Sequence, residues 1–347
     1  TEDQCYFEGH SVNFRVSRGV AVWIQTVYTR PFDEKRNAGC MPCIAVSGCA
    51  TIAPMNDEPG YRPIVARTTR QQTLRGARYA IHEWGMADAP LLLYVHGWGD
   101  CGSTFQFVVD ALQEDWRVVA PDWRGFGRST VECSSYWFPD YLADLHALGE
   151  QLSPSEPLRL VGHSMGGNVA SLYAGVMPER VRALVNIEGL GMPDSDPGEA
   201  PDRYREWIEQ QSAPQEFSEY RDFDALAWRV RKRNPHMSAE AAAFVAREWA
   251  QKGSDGIVRL RADPGHKLTN PVLYRRAEAA ACWRQTTADV LQISGAQSRL
   301  MHDYGAAVDD MFPHAARTVI DDAGHMLHFE APAALAAAIE DFLLPTL

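Results

Sequence analysis

Short apolar runs alternate with helix-forming stretches from about residue 62 onward, and this alternation restricts the fold of the 347-residue chain more than any other feature. Apolar runs of about four to eight residues favour buried strands, and longer stretches with a repeat of about 3.6 residues favour helices. The predicted strands are 78–84, 91–95, 116–120, 158–161, 181–187, 290–294 and 317–320. The predicted helices are 104–112, 139–152, 168–177 and 332–342. Such alternation predicts an α/β fold, in which helices cover both faces of a parallel sheet.

The alternation stops between residues 189 and 283. This stretch is rich in helix formers, tryptophan and charge and contains no strand-like run, so we predict a helical cap above the C-terminal edge of the sheet. The predicted organisation is a poorly ordered N-terminal extension at 1–61, the first part of the core at 62–189, the helical cap at 190–284 and the second part of the core at 285–347.

Acidic residues outnumber basic ones, 45 to 33, which gives a formal net charge of −12. A surface of this sign disfavours binding to nucleic acid or to an anionic membrane. No apolar run approaches the ~20 residues that span a bilayer, and the N-terminal residues lack the basic and apolar regions of a secretory signal. We therefore expect a cytoplasmic protein that acts on a small molecule, and the sequence leaves its oligomeric state open.

Seven cysteines stand at irregular spacing along the chain. An odd number without a regular pattern argues against a disulfide framework. Cys40, Cys43 and Cys49, with His10 nearby, suggest a metal site, but a structural zinc site usually requires a second well-spaced pair of ligands. The sequence contains no such pair, so we predict neither a metal nor an organic cofactor.

The pentapeptide from Gly162 to Gly166 carries the first candidate catalytic residue, Ser164. It follows the strand-like run 158–161 and precedes the predicted helix 168–177. A sharp strand-to-helix turn exposes the hydroxyl of its central serine, and the two glycines allow the strand and the helix to approach closely. We therefore predict that Ser164 is a nucleophile.

A serine hydroxyl becomes a strong nucleophile only when a base accepts its proton. His325 is the best candidate among the 11 histidines, because it follows a glycine in a loop after the last predicted strand. His328 is the alternative, although it lies nearer to the final helix. His163 adjoins the nucleophile, but its side chain should point away at such a turn, so we interpret it as structural.

Acyl transfer also places negative charge on the carbonyl oxygen, which requires N–H donors. The residue after the nucleophile, Met165, supplies one donor in a turn of this kind. The second is expected in the loop after the buried strand 91–95, where His96 and Gly97 precede Trp98. We predict that the backbone N–H groups of Trp98 and Met165 form the oxyanion hole.

Four motifs in this order resemble the α/β-hydrolase superfamily, and in particular its capped members, which include esterases, epoxide hydrolases and haloalkane dehalogenases. The motifs are His96-Gly97-Trp98-Gly99, Asp122-Trp123-Arg124-Gly125-Phe126-Gly127-Arg128-Ser129, Gly162-His163-Ser164-Met165-Gly166-Gly167 and Gly324-His325. The resemblance covers residues 62–347. It implies an eight-stranded, mostly parallel sheet with helices on both faces and a helical cap inserted after the sixth strand.

In much of this superfamily the acid that orients the catalytic histidine is an aspartate after the seventh strand, a position that Ser298 occupies here. Glu188, directly after the run 181–187, is the alternative, since some haloalkane dehalogenases place their acid there. A buried charged glutamate needs a partner, and His325 is such a partner. We predict Glu188 as the acid and keep Asp303 as the alternative.

These residues predict a carboxylesterase-like serine hydrolase that cleaves short to medium acyl esters through an acyl-enzyme. Epoxide hydrolases and haloalkane dehalogenases use an aspartate nucleophile at the elbow, so the serine disfavours both reactions. Other serine-triad reactions stay open: C–C bond hydrolysis, lactone or amide cleavage, acyl transfer and peracid formation. A non-catalytic ligand-binding protein, suggested by Ser298, is the third hypothesis. Four cap tryptophans are expected either to line an acyl pocket or to form the cap core: Trp207, Trp228, Trp249 and Trp283.

Overall fold

The computed structural model describes residues 60–133, 135–213, 215–301 and 311–347. The predicted N-terminal extension therefore lies almost wholly outside the described residues, together with the suggested metal ligands. The alternative acid Asp303 lies outside them as well. Within the described ranges an eight-stranded, mostly parallel sheet confirms the predicted α/β fold.

The sheet has the strand order β1-β2-β4-β3-β5-β6-β9-β10. The strands among the described residues are β1 (Thr68–Leu74), β2 (Ala77–Trp84), β3 (Leu91–Val95), β4 (Arg117–Pro121), β5 (Leu158–His163), β6 (Val181–Ile187), β7 (Ala250–Lys252), β8 (Val258–Leu260), β9 (Asp289–Gly295) and β10 (Ala316–Ile320). β2 pairs antiparallel with β1 and β4, and the other neighbours in this sheet are parallel. The carboxyl ends of β3, β5, β6, β9 and β10 therefore share one edge, where ligands of open α/β sheets bind.

Helices cover both faces of the sheet. In the described ranges the α-helices, of which α4 to α6 lie in the segment between β6 and β9 and not on the sheet, are α1 (Gln106–Val109), α2 (Phe138–Leu152), α3 (Met165–Val176), α4 (Ala200–Ser212), α5 (Phe223–Arg233), α6 (Ala239–Trp249), α7 (Arg276–Trp283), α8 (Leu327–Glu330) and α9 (Pro332–Leu343). Buried residues of α2, α3 and α7 pack on one face, and those of α1 and α9 pack on the other. Two apolar layers of this kind bury most of the strand side chains, which is why the central strands read as continuous apolar runs. Among the described residues we find no helix with the length and apolar character of a membrane span.

The segment between β6 and β9, here called the insertion (residues 190–288), contains α4 to α7. It also contains a two-stranded antiparallel hairpin formed by β7 and β8. The prediction that this stretch has no strand was wrong, because strands of three residues are too short to show an alternating pattern. A third apolar cluster joins α5 and α6 of the insertion to Phe107 and Phe329 of the core.

Candidate active site

Ser164 lies at the turn between β5 and α3. Its backbone has φ 52° and ψ −116°, a conformation that costs a non-glycine residue on the order of 1–3 kcal/mol. The Ser164 N–H donates to the carbonyl of Ile187 on β6 at 2.8 Å, which fixes the turn to the sheet. The turn also requires glycine beside it, because a Cβ at Gly166 would lie 2.2 Å from the carbonyl oxygen of Val95. A Cβ at Gly162 would meet the Gly166 carbonyl at 2.7 Å.

Three side chains from three loops form one hydrogen-bonded chain at the carboxyl edge of the sheet. His325 Nε2 lies 3.0 Å from Ser164 Oγ, and His325 Nδ1 lies 2.6 Å from Glu188 Oε2. An ionised carboxylate only accepts hydrogen bonds, so Nδ1 carries the proton and the lone pair of Nε2 faces the serine hydroxyl. The structure therefore brings together the residues that the sequence predicts as nucleophile, base and acid.

Glu188 is 3% exposed and has φ 51°, a left-handed backbone conformation directly after β6. Its Oε1 accepts the Gly295 N–H at 2.9 Å. Its Oε2 accepts the Ser298 hydroxyl at 2.7 Å in addition to His325. A buried carboxylate is costly without such donors, and here three donors meet it. Sequence reasoning noticed Ser298 only as an absent acid, whereas the structure makes it a donor to Glu188.

The loop after β3 lies against Ser164, since a Cβ at Gly97 would come within 3.1 Å of Ser164 Cβ. His96 fixes this loop: its Nε2 accepts the Trp123 N–H at 2.8 Å, and its Nδ1 donates to the Gly97 carbonyl at 2.7 Å. Burial lowers the pKa of His96, which agrees with a neutral ring that has one acceptor and one donor nitrogen. The loop with Trp98 is thus held in place by buried hydrogen bonds.

The two predicted oxyanion donors belong to segments that adjoin Ser164. Met165 is the first residue of α3, so its N–H has no partner within the helix. Trp98 directly follows Gly97, and its side chain is 47% exposed. Both N–H groups belong to residues at the carboxyl edge, and both residues line the cavity described below.

The other histidines near Ser164, His163 and His328, have different partners. His163 donates from Nε2 to the carbonyl of His325 at 2.8 Å, and burial lowers the pKa of His163 well below its usual value. His328 Nε2 lies 3.0 Å from Asp100 Oδ2, and both residues are buried. His328 is therefore directed at Asp100 and not at Ser164, whereas His325 is the histidine that lies within hydrogen-bond distance of Ser164 Oγ in the described residues.

Asp100, His163 and His328 also form the one group of possible metal ligands that we find in the described ranges, with one donor atom of each within 4.8 Å of the others. Asp100 already accepts hydrogen bonds from His328 and from the Trp249 indole, the latter at 2.7 Å. These two bonds offset the effect of burial and lower the pKa of Asp100. We interpret Asp100 and His328 as a hydrogen-bonded link between the loop after β3 and helix α8, whereas His163 bonds to the His325 carbonyl.

A cavity of about 210 Å³ lies beside Trp98 and Met165. Aromatic residues of segment 136–141 and Trp207 form much of its wall, and the described lining residues include no Asp, Glu, Lys or Arg. His266 also lines it and stacks between Phe126 and Tyr136, with ring centroids 3.7 and 3.6 Å away. Burial lowers the pKa of His266 to about 4, so this ring is neutral near pH 7. The wall is therefore uncharged and largely apolar.

The four tryptophans of the insertion have different roles. Trp207 lines the cavity. Trp249 donates to Asp100, and Trp283 is buried in the core cluster of α2 and α3. Trp228 is 65% exposed and contacts Lys232. Trp207 therefore lines a cavity, and Trp249 packs partly buried against the apolar cluster of α5 and α6. Trp283 has neither predicted role, because it is buried in the main core and not in a core of the cap.

Residues 90–332 match the sequence family described as the alpha/beta hydrolase fold. The chain belongs to the α/β-hydrolase family. This α/β hydrolase is 26% identical over 275 residues to a serine hydrolase-like protein of Danio rerio, covering 76% of the chain and 84% of the relative. It is 30% identical over 282 residues to a 3-hydroxybutyrate-oligomer hydrolase of Cupriavidus necator. This match covers 76% of the chain and 92% of the relative.

A solved structure of a thioesterase domain from the curacin biosynthetic pathway is similar with a TM-score of 0.71 and 26% identity. The match covers 79% of this chain and 99% of that domain. The family and these relatives together identify the protein as a hydrolase.

Proposed function

We propose that this α/β hydrolase cleaves carboxylic esters with a neutral, apolar acyl group of short to medium length. The observation that supports the proposal most strongly is the unbroken hydrogen-bonded chain from Ser164 through His325 to Glu188, with distances of 3.0 and 2.6 Å. This arrangement activates a serine for acyl transfer.

The mechanism follows from the roles of these atoms. Ser164 Oγ attacks the acyl carbon while His325 Nε2 accepts its proton, and Glu188 stabilises the resulting imidazolium. The N–H groups of Trp98 and Met165 bind the oxyanion. His325 then donates the proton to the leaving alcohol, which yields the acyl-enzyme. A water molecule, deprotonated by His325, then attacks the acyl carbon. The bond between this carbon and Ser164 Oγ breaks, His325 returns the proton to Ser164 Oγ, and the acid is released.

The cavity beside Trp98 and Met165 supports a neutral, apolar acyl group. A wall without charged residues gives no partner to a carboxylate, so burying a charged acyl group there would be costly. The formal net charge of −12 also disfavours a negatively charged acyl group, because it repels an anionic substrate. The similarity to a 3-hydroxybutyrate-oligomer hydrolase supports short acyl units.

Thioester cleavage is a second candidate, favoured by the similarity to a thioesterase domain. It uses the same nucleophile, base and oxyanion donors and differs only in the leaving group. Matched butyryl esters and butyryl thioesters separate the two activities by their kcat/KM.

The test measures hydrolysis of p-nitrophenyl butyrate, octanoate and hemisuccinate by the wild type and by Ser164→Ala. We expect butyrate to be cleaved at least about tenfold faster than the hemisuccinate, and Ser164→Ala to lose at least about a thousandfold. Activity that survives in Ser164→Ala, or a wild type that cleaves neither ester nor thioester, would contradict the proposal. Equal rates for butyrate and hemisuccinate would contradict the acyl class.

A matched pair of tryptophan variants tests the cavity. Trp207→Ala removes part of the wall and enlarges the cavity. It should raise the ratio of octanoate to butyrate kcat/KM by about tenfold, since the added space admits a longer apolar chain. Trp228→Ala, at a 65% exposed position, should leave the ratio unchanged. An unchanged ratio in both variants would place the acyl group outside this cavity.

A further inference from the structure

Ser298 is a buried serine, 5% exposed, in the turn that follows β9. Its hydroxyl donates to Glu188 Oε2 at 2.7 Å, the same oxygen that lies 2.6 Å from His325 Nδ1. We propose that Ser298 is a positioning residue that orients the Glu188 carboxylate toward His325. The inference rests on the proposed function, because it assigns Glu188 the role of the acid in that mechanism.

The turn that carries Ser298 is fixed to the loop that carries His325. The Ser298 N–H donates to the Gly295 carbonyl at 3.0 Å, and the Gln297 N–H donates to the Ala323 carbonyl at 2.9 Å. A Cβ at Gly295 would lie 2.3 Å from the Ala323 oxygen, so the two backbones are in close contact. The turn with Ser298 and the loop with His325 are therefore held together by backbone contacts. Glu188, which directly follows β6, contacts both.

Each carboxylate oxygen of Glu188 accepts hydrogen bonds from its own donors. Oε1 accepts the Gly295 N–H, and Oε2 accepts Ser298 as well as His325. The terminal torsion of a glutamate is broad and roughly two-fold, so a single donor does not set the carboxylate plane. Gly295 and Ser298, one on each oxygen, set this plane. Without the Ser298 hydroxyl, only His325 would remain on Oε2.

A fluorophosphonate, which modifies an activated serine whatever the natural ester is, provides the readout. Ser298→Ala should be labelled at Ser164 about tenfold more slowly than the wild type, the loss expected for one hydrogen bond to a charged group. Ser298→Thr keeps the hydroxyl and should label within about threefold of the wild type. In ester assays Ser298→Ala should lower kcat and leave KM unchanged, because Ser298 acts on Glu188 and not on substrate.

Ser129→Ala is the matched control. Ser129 is also 5% exposed, and within the described part of the chain its hydroxyl bonds to two backbone groups, the Asp122 carbonyl at 2.6 Å and the Ala80 N–H at 2.8 Å. It should lose stability in urea as Ser298→Ala does, but label at the wild-type rate. This comparison separates loss of a buried hydroxyl from loss of carboxylate orientation.

Wild-type labelling in Ser298→Ala, or slow labelling that Ser298→Thr does not restore, would overturn the inference. Neither result affects the proposed function, which Ser164→Ala tests. A wild type that is labelled but cleaves no ester would refute the proposed function and leave the role of Ser298 to be decided by the labelling rates.

Discussion

The substitution Glu188→Gln removes the charge of this side chain and preserves its size. The Gly295 N–H lies 2.9 Å from Oε1 and can only donate, so it selects the amide oxygen for that position. The amide NH₂ then takes the place of Oε2, where His325 Nδ1 lies 2.6 Å away. Because Nδ1 now faces a donor, the ring proton moves to Nε2 and points at Ser164 Oγ. A ring in this tautomer cannot accept the serine proton.

The expected loss is about 10⁴-fold in kcat, the magnitude known for the same change of tautomer in a serine-protease triad. At about 1.36 kcal/mol for each factor of ten, this corresponds to about 5 kcal/mol of lost transition-state stabilisation. KM should change little, because Glu188 is buried behind His325 and does not reach substrate.

Steady-state hydrolysis of p-nitrophenyl butyrate measures both constants. Asp322→Asn is the control: Asp322 precedes His325 by three residues, is exposed and has φ 53°, which asparagine tolerates. It should retain kcat within about threefold. If Glu188→Gln kept more than a tenth of the wild-type kcat, the tautomer argument would be refuted and Asp303 would become the leading candidate for the acid.

Three further predictions concern the stability of the fold, measured by urea unfolding. Ser164→Gly should abolish turnover yet raise the free energy of unfolding by about 1 kcal/mol, because glycine adopts φ 52° without strain. A free energy of unfolding below that of the wild type would contradict backbone strain at Ser164. Gly166→Ala should lower the free energy of unfolding by about 2 kcal/mol or more, since its Cβ would lie 2.2 Å from the Val95 oxygen. A urea midpoint equal to that of the wild type would contradict this clash. His266 has a pKa of about 4 in the fold against ~6.5 when unfolded, so its neutral form contributes stability above pH 6.5 that is lost as the pH falls toward 4. Between pH 7 and pH 4.5 the free energy of unfolding of His266→Phe should therefore fall by about 2 kcal/mol less than that of the wild type. Equal decreases in the two proteins would contradict the lowered pKa of His266.

Most of the sheet could be predicted because its central strands are short apolar runs, but β1 could not. Thr68–Leu74 is polar and mostly exposed, and Leu74 is its one buried residue. β1 lies at the edge of the sheet and pairs with β2 through backbone hydrogen bonds, which leave no apolar pattern in the sequence. The β7–β8 hairpin escapes detection for a related reason, since three residues are too few to define a period.

The meeting of Ser164, Glu188 and His325 follows from positions that the sequence displays. Each residue comes shortly after a strand, and the carboxyl ends of parallel strands share one edge. The partners of Ser298 and His328 could not be found in this way. Which polar atoms meet at 2.7 or 3.0 Å depends on side-chain torsions and loop contacts, and neither produces a repeat or a motif.

The end of α6 has a consequence for engineering this protein. Trp249 donates to Asp100, and its neighbour Glu248 pairs with Arg67 at 2.9 Å and with Arg128 at 2.7 Å. Grafting the whole insertion from another hydrolase would remove these three interactions and leave the buried Asp100 and the partly exposed Arg67 and Arg128 without them. The insertion is therefore not an interchangeable module, and changes of substrate range by segment exchange should be restricted to the region of α4, where Gln210 is the one buried residue of the helix.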